Sequence, residues 1–367
     1  MITYFLSFAA SVVQVLYIPI LSVYALEIGI KTHEIGFISG IAALTYALTA
    51  PFSHLSAGRI GEKWTITYSL ALLSISCAFL MLVREIIGLA LVAIFSLLAY
   101  AVFWPAIESL ISREGGSVSA FATSWSSGAL AGSLLTGPLI VAPKAPVFLT
   151  LSLFSGVLAL ISLKLRGERR VIDLPKIADL IRGLREIPDA WAWAFSYAVF
   201  QGALFTFYPV LIELRGLPEW YASLAFFLMI GARTFIFSFK NKLPQILHSL
   251  YTGLALLSSG ILLPITHDPY IVAALSTLFG AGVGILYAES LSKAFSSRVE
   301  KRSAYTGLFE SSIGLGYTAG PIVAGLTSVS CLEAAIPVAT IISIIVSCIP
   351  WNRFIKATSA KNFYFRE

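Results

Sequence analysis

Two ionisable residues interrupt stretches that are otherwise apolar. Glu310 lies roughly 10 Å along residues 304–327 at 1.5 Å per residue, and Arg233 sits inside residues 218–238. A charge in hydrocarbon is costly, so both are functional candidates by default. A carboxyl there has the chemistry to take up and release a proton or bind a coupling cation. A guanidinium has the chemistry to attract an anion or to pair with that carboxyl. Other reactive patterns are weaker. Ser290-Leu-Ser-Lys293 has Ser-x-x-Lys spacing but ends an apolar stretch. Gly280-Ala-Gly-Val-Gly284 follows no strand and reads as helix packing, not as a nucleotide loop. Cys77, Cys331 and Cys348 have neither metal nor disulfide spacing and read as small apolar residues. Neither enzymatic activity, a metal nor a cofactor is expected.

The elements that position these groups must be membrane helices. Of the 367 residues, 57% are hydrophobic and 12% charged, against about 25% charged in soluble domains, and the mean hydropathy is +0.86. Cutting at clusters of charge, Gly and Pro leaves twelve apolar stretches: 3–26, 35–57, 65–83, 86–111, 119–142, 146–165, 189–212, 218–238, 248–265, 270–292, 304–327 and 333–351. Each is close to the roughly 20 residues that carry a helix across a bilayer. The period-2 alternation of a membrane barrel is absent. No Lys or Arg precedes the first stretch, so it reads as a retained helix and not as a cleaved leader.

The net charge of +6 is placed by topology. With the N-terminus inside, inner segments hold 20 of the 25 Lys and Arg residues, and outer segments hold only Lys31, Arg84, Lys144 and Arg215. The positive-inside rule then puts both termini in the cytoplasm, and no nucleic-acid footprint is left to explain. In the longest polar segment, Leu174, Ile177, Leu180, Ile181, Leu184 and Ile187 share one helical face, which predicts an interfacial amphipathic helix. The expected organisation is a bundle over 1–165, a linker over 166–188, a second bundle over 189–351 and a cytoplasmic tail over 352–367.

The two bundles read as a duplication. Glu108-Ser-Leu in the fourth stretch recurs as Glu289-Ser-Leu in the tenth, 181 residues on, each followed by a cation. Gly137-Pro138 in the fifth recurs as Gly320-Pro321 in the eleventh, 183 residues on. On these offsets Glu310 aligns with Ser127 and Arg233 falls near Pro51, so neither has a charged counterpart. Repeats with an even number of spans point the same way across the membrane, a plan used by transporters that hold substrate near the midplane. Gly128/Gly132 and Gly316/Gly320 would let helices approach closely, and Gly-Pro steps would let them bend.

The segment His54-Leu-Ser-Ala-Gly58-Arg59-Ile60-Gly61-Glu62-Lys63 resembles the signature loop of the Major Facilitator Superfamily, Gly-x-Leu-Ala-Asp-Arg-x-Gly-Arg-Lys. Arg59, Gly61 and Lys63 match, while His54, Gly58 and Glu62 depart from it. The fifth and eleventh stretches resemble the family's Gly-x-x-x-Gly-Pro-x-x-Gly-Gly antiporter signature, and Gly316 to Gly325 matches it better. The resemblance implies an all-α fold of twelve helices in two pseudo-symmetric six-helix bundles. It also implies an inner gate of Arg59, Gly61 and Lys63 with Glu108, and by pseudo-symmetry of Lys240 or Lys242 with Glu289. Helices one and seven line the cavity in that family. Gln14 and Gln201, with Tyr17, Tyr46, Trp104, Phe205, Tyr208, Arg233 and Tyr287, are therefore the candidate substrate-binding groups, suited to a mostly apolar organic molecule. Glu310 is the candidate proton-coupling group, and Gly137, Pro138, Gly316, Gly320 and Pro321 are the bending and packing positions. The expected function is alternating-access transport of a small organic solute in the cell membrane, coupled to protons or another cation, as efflux by a monomer. The alternatives are a sugar or metabolite importer or facilitator, and a receptor without transport. Only six Asn and Gln residues point to a thermophilic prokaryote.

Overall fold

In hydrocarbon the backbone can satisfy its polar groups only within itself, which favours helices. The computed structural model describes residues 1–53, 58–166, 183–239, 242–295, 302–349 and 351, and among them no strand occurs. Among the described residues, twelve helices of eight residues or more follow in chain order: α1 (Ile2–Glu27), α2 (Thr32–Thr49), α3 (Glu62–Phe79), α4 (Ile86–Arg113), α5 (Val118–Val141), α6 (Lys144–Ser162), α7 (Pro188–Arg215), α8 (Trp220–Phe239), α9 (Leu250–Leu257), α10 (Pro269–Phe295), α11 (Arg302–Ser328) and α12 (Ala335–Cys348). Short 3-10 turns extend α2, α9 and the start of α12. Most of the amphipathic linker (167–182), Lys240 and the tail (352–367) lie outside the described residues.

Seven of these helices, α1, α2, α4, α6, α7, α8 and α10, are long and apolar enough to cross a membrane by themselves, and shorter apolar helices cover Leu250–Ile265 and Leu332–Cys348. The other three, α3, α5 and α11, are diluted by Gly, Ser and Thr. In α5 and α11 those small residues do the packing, because a Cβ on Gly128 or Gly132 would collide with the α1 backbone at Phe8 and Val12. A Cβ on Gly316 or Gly320 would likewise collide with the α7 backbone at Phe195 and Val199.

The chain alternates between two faces. The Met1 face holds the ion pair Arg113–Glu62 (3.3 Å) and the bond from Thr3 to Glu114 (3.4 Å). The opposite face holds Lys144–Glu27 (2.5 Å) and Arg215–Glu333 (2.8 Å), and there the Tyr24 hydroxyl donates to the Val83 carbonyl (2.6 Å). Turn chemistry fixes the reversals. Gly61 (φ +89°) and Gly216 (φ +62°) occupy the left-handed region at the start of α3 and the end of α7, and Asp268 Oδ1 accepts from the Tyr270 and Ile271 amides to start α10.

Pseudo-symmetry is visible in the partners each helix takes. α1 packs on α5 as α7 packs on α11, α2 on α4 as α8 on α10, and α3 on α4 as α9 on α10. The halves meet along α2–α11, α5–α8 and α1–α7. The glycine contacts also correct the expected register. Gly128 and Gly132 sit on Phe8 and Val12 as Gly316 and Gly320 sit on Phe195 and Val199, an offset of 188 in one helix pair and 187 in the other. Gly137 faces Ser223 of α8 and Glu219 just before it, and its equivalent is Gly325, which faces His33 and Gly36 of α2. The two Gly-Pro pairs are therefore not equivalent positions, because local sequence similarity favoured a shift of five residues that packing does not follow.

Candidate functional site

The α2–α11 seam is built from small residues over its length. A Cβ on Gly36 would meet Gly325, one on Gly314 would meet Ala47, and one on Gly307 would meet Pro51. The Ser311 hydroxyl donates to the Ala47 carbonyl (2.8 Å). This close approach brings Tyr46 against the expected coupling residue, and the Tyr46 hydroxyl donates to Glu310 Oε2 at 2.6 Å. Glu108 of α4 and Tyr287 of α10 lie within electrostatic range of Glu310, so four helices converge on one carboxyl.

The equivalent seam, α5–α8, holds Arg233. At its far end the Gly137 amide donates to Ser223 Oγ (2.8 Å), which donates to the Leu134 carbonyl (2.8 Å). Arg233 is 3% exposed. Its Nη1 donates to Tyr197 Oη (3.4 Å) and Gln201 Oε1 (3.3 Å), its guanidinium carbon lies 5.3 Å from the centre of the Trp125 ring, and its Nε has no partner. Among the described residues no carboxylate lies within ion-pair distance of it. The corrected register moves the counterpart of Arg233 from Pro51 to Tyr46 or Ala47, and that of Glu310 from Ser127 to Ala122. Gln14 and Gln201 are counterparts of each other, 187 residues apart.

Between Arg233 and Glu310 lies an aromatic shell. Tyr287 stands 5.2 Å from Tyr197, 5.9 Å from Phe237 and 5.7 Å from Phe309, measured between ring centres. Tyr197 stands 6.4 Å from Tyr317, and Trp125 stacks on Phe237 at 5.9 Å. Trp125, Phe237, Tyr287, Tyr317 and Glu310 are half-buried, and Tyr197, Gln201 and Phe309 behind them are buried. The half-buried faces therefore border space that protein atoms do not fill.

Of the candidate binding residues, Tyr46, Gln201, Arg233 and Tyr287 gather here. Gln14 and Trp104 bond each other, Trp104 Nε1 donating to Gln14 Oε1 (3.0 Å). Three others belong to the core of a single half. The Tyr17 hydroxyl accepts from Ser96 (2.8 Å), and Phe205 and Tyr208 pack on Phe226 at 4.8 and 6.3 Å. Trp125, Tyr197, Phe237, Phe309 and Tyr317 went unnoticed in the sequence. Only Tyr197 carries a usable signal, being four residues before Gln201 and so on its face.

The expected gate is rearranged in this conformation. Arg59 is exposed and makes no ion pair with Glu108, whose electrostatic neighbour is Glu310. Glu62, which stands where the signature has a basic residue, pairs instead with Arg113 at the end of α4, so the loop-to-helix contact survives with its charges reversed. Lys63 covers the Trp64 ring (5.3 Å) and Lys242 is exposed. Lys293 sits 3.8 Å over the Trp193 ring and within electrostatic range of Glu289 and Asp189. Ser290 donates to the Ala190 carbonyl (2.6 Å), so the Ser-x-x-Lys serine serves helix packing. Among the described residues no cluster of His, Cys, Asp and Glu could hold a metal.

A sequence model of the family described as Major Facilitator Superfamily matches residues 2–321. No curated protein matches the chain. Among solved structures it is similar to the nucleoside transporter NupG (TM-score 0.72, 13% identity, 94% of this chain and 96% of that one). It is also similar to a bacterial homolog of the human lysosomal transporter Spinster in an inward-facing, unoccupied conformation (0.69, 15%, 97% and 94%). A third similar structure is the human organic anion transporter MFSD10 (TETRAN) (0.66, 14%, 94% and 98%). At these identities the likeness is one of fold.

Proposed function

The chain belongs to the Major Facilitator Superfamily, and from that premise we propose that it is a proton-coupled secondary transporter of a small organic solute, working by alternating access between its two halves. One observation carries the coupling. Glu310 is the only acid of α11, it lies on the seam between the halves, and it is tied across that seam to Tyr46. A group whose protonation changes the strength of a bond between the halves can couple proton movement to their rocking. The Gly and Ala contacts of the α2–α11 and α5–α8 seams support rocking, since small-residue surfaces slide with little interlocking. The charge placement supports a cytoplasmic Met1 face.

Liposomes containing the purified protein test the reading, with a pH gradient imposed and a panel of nucleosides, organic anions, sugars and hydrophobic cations offered. Wild-type protein is expected to accumulate one class in response to the gradient, and Glu310→Gln to lose that response while keeping exchange of solute for solute. Gradient-driven uptake that survives in Glu310→Gln removes the coupling role. Solute moving opposite to the proton identifies efflux by exchange, which the antiporter-like signature of α11 favours. Solute moving with the proton identifies import, as the likeness to a nucleoside transporter would suit.

A further inference from the structure

We propose that Arg233 is the anion-holding group of the central site and that the solute is an organic anion, a carboxylate carried on an aromatic body. The proposal rests on the transporter reading above and names the substrate class for it.

A guanidinium that is 3% exposed has left most of its water behind, and a buried charge with no counter-charge is strongly unfavourable. The described partners of Arg233 are neutral: a tyrosine hydroxyl, an amide oxygen and an indole face. Its Nε lacks any partner. Glu310 does not pair with it: its carboxyl is engaged by the Tyr46 hydroxyl at 2.6 Å, and no carboxylate among the described residues lies within ion-pair distance of Arg233. Packing does not demand a cation either, since the equivalent place in the other half is filled by a neutral residue, Tyr46 or Ala47. An anion arriving between the halves would find an unsatisfied N–H on Arg233, and a carboxylate would complete it with charge-assisted hydrogen bonds. Beside that group stand Trp125, Phe237, Tyr287 and Tyr317, whose half-buried ring faces suit an aromatic body and offer nothing to a strongly hydrated one. A cationic solute is repelled by Arg233.

Four probes that share one indole body separate these charges: indole-3-propionate, its neutral amide, tryptamine and L-tryptophan. Binding is measured by titration calorimetry and thermal shift on the detergent-purified protein, with chloride and inorganic phosphate each tested alone. Indole-3-propionate is expected to bind about ten-fold or more tighter than the other three. Arg233→Gln is expected to abolish that preference and to raise the melting temperature without ligand, which a merely structural arginine would lower. Arg233→Lys should keep part of the preference. The proposal is overturned if tryptamine, L-tryptophan or the amide binds as well, if no probe binds, or if an inorganic anion alone gives the full shift. A ligand-free Arg233→Gln protein that melts lower than wild type also overturns it. Gradient-driven flux of a neutral or cationic solute with no preference for anions removes the substrate class and leaves the transporter reading intact. Anion preference that depends on Arg233 without flux of any solute does the reverse.

Discussion

The hydroxyl of Tyr46 and the carboxyl of Glu310 make a single bond across the seam, 2.6 Å long, and side-chain bonds between membrane helices contribute about 1 kcal/mol. Tyr46→Phe is therefore expected to lower stability by about that amount, read as a small drop in melting temperature, while slowing gradient-driven transport far more than solute exchange. Glu62 and Arg113 form a second testable pair, 3.3 Å apart with the Glu62 side chain 5% exposed. Arg113→Ala leaves that carboxylate without its partner, removes the bond to the Arg166 carbonyl (2.7 Å), and should cost about 3 kcal/mol. Reversing both charges, Glu62→Arg with Arg113→Glu, should restore most of the loss in a double-mutant cycle of thermal unfolding. At this scale the sequence was readable where cost alone marks a residue, as with Glu310 and Arg233 inside apolar stretches. It was not readable where a role depends on which helices meet. The shell around Arg233 draws on five helices, and the signature loop keeps its contact to α4 through Glu62 with the opposite sign.

Helices such as α5 and α11 show why small residues count as structure in a membrane, where burial against lipid gains little and close backbone contact must hold neighbours together. Gly128→Leu and Gly320→Leu are expected to disrupt α1–α5 and α7–α11 respectively, because even the Cβ would strike the Phe8 and Val199 backbones. Each should cost more than about 2 kcal/mol, seen as loss of a monodisperse peak in detergent chromatography. Gly231→Ala is the control, since its Cβ would meet only Leu130 at 3.6 Å, an ordinary contact, and it should leave the peak unchanged. The twelve elements themselves were legible because apolar length sets a helix in a bilayer. The register between repeats was not, since Gly-Pro resembles Gly-Pro whichever neighbour it faces.

For the molecule as a whole, alternating access requires the halves to part at one face while closing at the other. The α2–α11 seam offers a lock at the face opposite Met1, where the Ser328 hydroxyl donates to Thr32 Oγ1 (2.7 Å). In a protein with Cys77, Cys331 and Cys348 replaced by serine, a Thr32→Cys and Ser328→Cys pair should oxidise to a disulfide that stops transport, and dithiothreitol should restore it. Transport that continues after oxidation would show that this seam does not open there. Fold class was accessible at this scale from hydropathy and charge, and the duplication from recurring short motifs, whereas the seams depend on packing between distant stretches. Another consequence lies in α7, which is nearly all buried, lies against α1, α10, α11 and α12, and is the least apolar of the seven long spans. A helix with so little surface for lipid gains little by leaving the translocon alone. Three of those four neighbours, α10, α11 and α12, are made after it, so α7 is expected to become stably buried only once the later helices of its own half have arrived.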